Sequence, residues 1–263
     1  MLALSGCSGM RWLYSYADNY FVGIVQDYFD PTPEQLRDVR ANAEQLLAWH
    51  RRHELPLYVA MFEQAAQKTR DGLTEDEVNW GLAQLRARYD TLAQRIVEAN
   101  ASLLAGLSTS NLAALERKFA TENAKLERVY LDADHARRDE RRVERIQNQF
   151  ERWVGPLSGQ QRAIIAAWVA AAPAASTNWY QDRISRQQGM LDALRSERDP
   201  ALLAAQLTGL WLGRGAAAER RARNESRVTA LILSLDQTLS AAQRERAVLR
   251  MQQYAADFRS LSP

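Results

Sequence analysis

The sequence predicts an all-α protein: an elongated helical bundle built from two tandem, degenerate helical repeats. Three observations predict it. The first is a helix-start device that recurs along the chain. In Leu157-Ser158-Gly159-Gln160-Gln161 the Ser158 hydroxyl is placed to accept from a backbone N–H one turn in. Gln161, three residues on, is placed to reach back to the Ser158 amide, and Leu157 packs outside as a staple. The same order recurs at Leu73-Thr74-Glu75-Asp76-Glu77, at Leu107-Ser108-Thr109-Ser110-Asn111 and at Leu239-Ser240-Ala241-Ala242-Gln243. Pro31-Thr32-Pro33-Glu34-Gln35 is a further version, with proline at the favoured first helical position. The second observation is composition: 12 Gly and 7 Pro in 263 residues leave long stretches of Ala, Leu, Arg, Gln and Glu, all good helix formers. The third is that apolar residues between the boxes recur at spacings of three and four.

The same composition restricts function. A net charge of +2, with bases and acids interspersed, gives no electrostatic footprint for nucleic acid. The single cysteine rules out an intrachain disulfide and a thiolate zinc knuckle.

Taken in order, residues 1–7 end in Leu4-Ser5-Gly6-Cys7, which resembles a bacterial lipobox: an apolar residue, two small ones, and the cysteine that receives the lipid. Only six residues precede Cys7 and none is basic, so the start of a full signal peptide is expected further upstream. The competing reading is a free thiol in a disordered tail. Ser8 after the cysteine resembles a signal for export to the periplasmic face of the outer membrane. Residues 8–30 are dense in aromatics. They read either as a headgroup-level segment or as a short docked helix with Phe21, Ile24, Val25 and Tyr28 on one face.

The first repeat spans 31–131. Its first helix opens at Thr32 and carries Leu36, Val39, Ala43, Leu46 and His50, with a break expected at Pro56 and an end at Gly72. The next runs from Thr74 to Ala105. Its apolar seam of Val78, Leu82, Leu85, Tyr89, Leu92, Ile96, Ala99 and Leu103 is a heptad pattern. The third opens at Ser108 with Leu112, Leu115, Phe119, Leu126 and Val129. Residues 132–153 begin as a charged, solvated helical connector and recover an apolar stripe at Val143, Ile146, Phe150 and Trp153. The second repeat, 154–263, follows the plan of the first. Ser158 stands for Thr32, Pro173 for Pro56, Asp199-Pro200 for the Thr74 start and Ser240 for Ser108, with an added break at Gly213 and Gly215.

The boxes at Ser158 and Ser240 resemble the LTxxQ motif of the periplasmic chaperones Spy and CpxP, with Ser for Thr. The Thr32 box fits except for Pro31, and the Thr74 and Ser108 copies end in Glu77 and Asn111. That resemblance implies a helical cradle that holds unfolded protein. The whole chain also resembles an uncharacterised family of proteobacterial lipoproteins (domain of unknown function 6279). The lipobox, Asp27-Tyr28-Phe29-Asp30 and Trp49-His50-Arg51-Arg52 carry that likeness, which implies lipidation at Cys7 and no particular activity.

No nucleophile constellation is present, and Gly213-Arg214-Gly215 lacks the strand and lysine of a phosphate loop, so no enzyme is expected. Candidate client-binding residues are Arg214, Arg220, Arg221, Arg223 and Arg227, a basic cluster, and Trp49, Trp168 and Trp179 near the proline breaks. Against these stands a solvated face paired with Glu219 and Glu225. His50, His53 and Glu54 share a helix face and form the one metal-like trio. The competing reading has His50 packed at the kink and His53 solvated. Three functions follow: a holdase-like binding module for unfolded protein, an assembly lipoprotein for an envelope partner, and a zinc-responsive sensor. Partners are expected to be unfolded or envelope proteins and, through the anchor, a membrane. No cofactor, nucleic acid or small-molecule substrate is expected.

Overall fold

A computed structural model describes residue 14 and residues 16–131, 134–172, 175–213 and 216–263. Cys7, Trp12, Asp132, Pro173, Arg214 and Gly215 lie outside the described residues. Among the described residues the chain is all-α, with no strand. The helices are α1 (Ala17–Phe29), α2 (Pro33–His53), α3 (Leu55–Lys68), α4 (Glu75–Ala105), α5 (Thr109–Tyr130), α6 (His135–Val154), α7 (Gly159–Ala170), α8 (Ala175–Ser196), α9 (Pro200–Leu212), α10 (Ala216–Asp236) and α11 (Ala241–Leu261). No helix among them is long and apolar enough to cross a membrane.

All five boxes form. Thr32, Thr74, Ser108, Ser158 and Ser240 each accept from the backbone three residues on, and the side chains of Gln35, Glu77, Asn111, Gln161 and Gln243 each accept from the cap amide. Each such cap is worth about 1 kcal/mol, because it satisfies amides the helix leaves open. Asp199 caps α9 in the same way. The break at Pro56 is also present: α2 stops at His53 and α3 restarts at Leu55. After a 3-10 turn at Thr69–Asp71, Gly72 turns the chain with φ 96°, a conformation that strains any side chain.

Two expectations about helix faces change. In α1, Val22 is buried and Tyr28 and Phe29 meet the core, while Ile24 faces outward. In α4 the heptad seam does not hold. The buried positions are Val78, Ala93, Val97, Asn100, Ala101 and Ala105, and Leu85 and Tyr89 are exposed. The reason is that α4 has no single partner. It meets α10, α9, α2 and α3 over different stretches, so its buried face rotates along its length instead of following one supercoil.

The core has two centres. One gathers Val97, Ala105, Leu107, Leu112 and Leu115 with Leu191, Leu194, Leu203 and Leu207, so residues of 31–131 and of 154–263 share it. The other gathers Val154, Leu157, Ile165, Leu231, Leu235 and Ala247, with Val143, Ile146, Phe150 and Trp153 packed on it. The stripe expected at the end of the connector is therefore core. The connector itself is not wholly solvated: Arg138 is only 6% exposed. The most extensive helix pairing joins α11 to α3, across the whole sequence.

The boxes also dock on one another. Gln161, fully buried, donates to the Thr238 carbonyl at 3.1 Å and to Gln243 Oε1 at 3.0 Å. Gln243 donates to the Pro156 carbonyl at 2.8 Å and to Gln161 Oε1 at 3.0 Å. Each glutamine thus closes its own box and grips the carbonyl two residues before the other's cap. Asn111 repeats half of this, donating to the Asp30 carbonyl at 3.0 Å, two residues before Thr32.

Gln161→Ala is expected to cost about 2–4 kcal/mol, since it strands buried donors and acceptors in both boxes and leaves a cavity. Gln35→Ala, in an exposed box that grips nothing else, is expected to cost about 1 kcal/mol or less. Urea unfolding of the two variants checks the contrast.

Candidate functional site

The predicted basic cluster does not assemble. Among the described residues, Arg220 makes a two-pronged pair with Asp182 on α8, at 3.1 and 2.5 Å, and this hydrogen bonding raises its pKa. Arg221 donates to the Leu212 carbonyl at the end of α9. Arg227 donates to the Trp168 and Ala171 carbonyls at 3.0 and 3.1 Å, at the end of α7. Arg223 is exposed and lies near Glu219 at 3.9 Å. The physical reason is the shape of the guanidinium: its fork of donors is drawn to the carbonyls that helix C-termini leave unpaired. Arg142, its pKa lowered by burial, joins Arg227 there, donating to Ala172 O at 2.7 Å.

The tryptophans follow. Trp168 lies between the guanidiniums of Arg142 and Arg227, at 5.4 and 5.0 Å, and its indole donates to the Arg227 carbonyl. Trp49 stacks on His53 at 6.1 Å with Arg95 at 5.2 Å. Trp179 rests on Tyr130, ring centres 4.7 Å apart. Trp49 and Trp168 are both half-buried and held by these contacts.

The metal expectation is corrected as well. His50 Nδ1 lies 2.6 Å from the Tyr14 hydroxyl, and Glu54 is buried and paired with Arg88 at 3.4 Å. With His53 stacked on Trp49, the trio is dispersed, and no cluster of three potential ligands occurs among the described residues. Burial pushes the Tyr14 hydroxyl up to about 12, against the pull of Arg51, and pushes His50 down. Tyr58, against the other side of His50 at 5.8 Å, is raised by burial and by Glu54.

What the fold builds instead is an apolar cavity of about 400 Å³ between the two halves of the chain. Met61 and Phe62 of α3 and Val78, Gly81, Leu82 and Leu85 of α4 form one side; Phe150 and Trp153 of α6, Ile232 and Leu235 of α10 and Met251 of α11 form the other. Phe62, Trp153 and Tyr254 pack as a triangle, with centroids 5.4 to 6.4 Å apart, and stiffen that wall. At the rim Lys68 pairs with Glu77 at 3.4 Å and lies 5.4 Å from the Trp80 ring. Hydrogen bonds from Thr74 hold the Glu77 carboxyl below its ordinary range. From the cavity an outward strip continues through Leu85 (50% exposed), Tyr89 (52%) and Trp211 (47%), the last two joined by a hydrogen bond. Sequence reasoning missed this site. The available signal was Gly81, the one glycine inside the 31-residue α4.

Fold and cavity together define a helical-bundle protein with an apolar, solvent-open site between its helices. Residues 27–211 match the profile of DUF6279, a family of unknown function, and the chain belongs to that family. No curated protein and no solved structure matches it.

His50 has a folded pKa below its unfolded value of 6.5, so its neutral form contributes stability above pH 6.5. That contribution is lost as pH falls through the lower, folded value. Melting temperature is expected to drop between neutral pH and pH ~5, and His50→Gln is expected to flatten that drop. A thermal-melt pH series on both proteins checks it.

Proposed function

We propose that the protein is a non-enzymatic binding module of the bacterial cell envelope, lipid-anchored through Cys7, that receives apolar guests in the cavity between its halves. The observation that carries this is the lining: mostly hydrocarbon and aromatic surface on five helices, with its few charges paired as Lys68–Glu77 and Arg244–Asp236. Such a surface rewards desolvation of whatever enters. The address rests on the resemblance of Leu4-Ser5-Gly6-Cys7 to a lipobox. We propose further that the halves descend from one duplicated unit. Supporting this, Asn111 grips the carbonyl before the Thr32 box as Gln243 grips the carbonyl before the Ser158 box.

A second reading, a holdase for unfolded chains, is favoured by the Leu85–Tyr89–Trp211 strip. Exposed aromatics already held by a hydrogen bond lose little freedom on gripping an apolar segment.

The full chain is expected to bind N-phenyl-1-naphthylamine, a neutral apolar dye, saturably at one site, read by dye emission; unsaturable emission rules the cavity out. Holdase action is tested separately, by light scattering of a heat-denatured client. Protection is expected in the wild type and is lost in the Tyr89→Ser, Trp211→Ser double variant, with dye binding kept.

A further inference from the structure

We propose that the guest of this cavity is a single acyl chain of about a dozen carbons, whose anionic head group is held at the rim by Lys68. This rests on the binding-module reading and names the class of guest.

Size comes first. At about 30 Å³ per heavy atom, the share a water takes in the liquid, 400 Å³ accommodates one medium-length chain. Chemistry comes second, and it separates a hydrocarbon from a peptide. A peptide brings one N–H and one C=O with every residue, and each needs a partner once buried. The buried polar side chains at the cavity are already committed. Thr69 Oγ1 donates to the Ala65 carbonyl at 2.8 Å. The Asp236 carboxylate takes the Leu73 amide at 3.0 Å and the Arg244 guanidinium at 2.7 Å. Methylenes ask for no partner, so an aliphatic chain fits where a backbone does not.

Gly81 is the third observation. A glycine in a helix interior weakens the helix relative to alanine. It borders the cavity, and a Cβ placed there meets nothing within 4 Å. No close neighbour therefore requires the glycine. Its effect is to leave room where a side chain would narrow the site.

The head group follows from the rim. Among the described residues that border the cavity, Lys68 is the one cation. Its ammonium has three donors, and Glu77 Oε1 takes one of them. The other Glu77 oxygen is occupied by the Thr74 amide and hydroxyl, each at 3.0 Å. Lys68 therefore keeps donors for a carboxylate or phosphate oxygen at the point where an inserted chain ends.

The test uses the full chain and undecanoate brominated at its terminal carbon. Trp80 and Trp153 border the cavity, so binding is expected to quench tryptophan emission saturably, at one molecule per chain. Dodecanoate is expected to compete, and Trp80→Phe with Trp153→Phe to remove most of the quench while dye displacement persists. Gly81→Phe is expected to weaken dodecanoate about tenfold or more with the melting temperature maintained; Gly81→Leu gives the same readout with less bulk. Lys68→Met is expected to weaken dodecanoate and monododecyl phosphate about tenfold while leaving dodecanol nearly unchanged. The ratio of the two anions in the wild type tells a fatty acid from a phosphate head group. The proposal is overturned if dodecanoate fails to displace the bromo-acid, if both Gly81 variants bind like wild type, or if Lys68→Met weakens acid and alcohol alike. Naphthylamine binding without dodecanoate competition removes the acyl-chain proposal and leaves the binding-module reading. Loss of both removes both.

Discussion

Two glutamine side chains, buried Gln161 and half-buried Gln243, lie amide to amide, each closing its own helix start and holding the loop of the other. An amide carries both donors and an acceptor, so it is able to do both at once. The consequence is geometric. The start of α7 and the start of α11 are held at one fixed spacing, with Leu157 and Ala247 buried beside them. From that point α11 runs along α3 and carries Met251, Tyr254 and Phe258 to Phe62 and Tyr58. One wall of the cavity is therefore set by a hydrogen-bonded pair at its far end. Arg244, one residue past Gln243, adds to the same joint by donating to the Thr69 carbonyl and the Asp236 carboxylate.

Arginine plays a consistent part in this molecule. Arg142 and Arg227 close α7, Arg198 closes α4 through the Ala105 and Leu107 carbonyls, and Arg221 closes α9. Short connections between helices leave the last carbonyls of each helix unpaired, and glycine in the left-handed conformation resolves only some of these ends. A planar fork with several donors serves two carbonyls at once and stays charged at any physiological pH. Tryptophans then collect against these guanidiniums, as Trp168 does, because a ring face attracts the cation and covers its stem.

The cavity opens beside the second core centre, whose Phe150, Trp153, Val154, Leu235 and Ala247 line it. Near Leu194 and Leu203 the helices close on small and aliphatic residues and pack tightly, and Gly189 lets Leu210 approach. Between α3, α6 and α11 the stacked rings of Phe62, Trp153 and Tyr254 brace the two sides, while Gly81 and Val78 leave the α4 lining short. Rigid rings opposite small residues do not collapse onto one another, so the space remains.

The amino-acid order by itself determined where helices begin and stop. Ser158 with Gln161, Thr74 with Glu77, Pro56 and Gly213 each act within a few residues, through bonds a single turn makes with itself, and all appear in the structure as read. The tertiary structure alone decided which boxes meet, which arginines are consumed and where a hollow lies. Gln161 and Gln243 are 82 residues apart and His50 and Tyr14 are 36 apart; nothing in their spacing marks them as partners. The seam on α4 failed for the same reason, because which face is buried depends on four neighbours placed by distant parts of the chain. A cavity is the extreme case. It is made by what side chains around it do not reach, and no local pattern of residues encodes that distance.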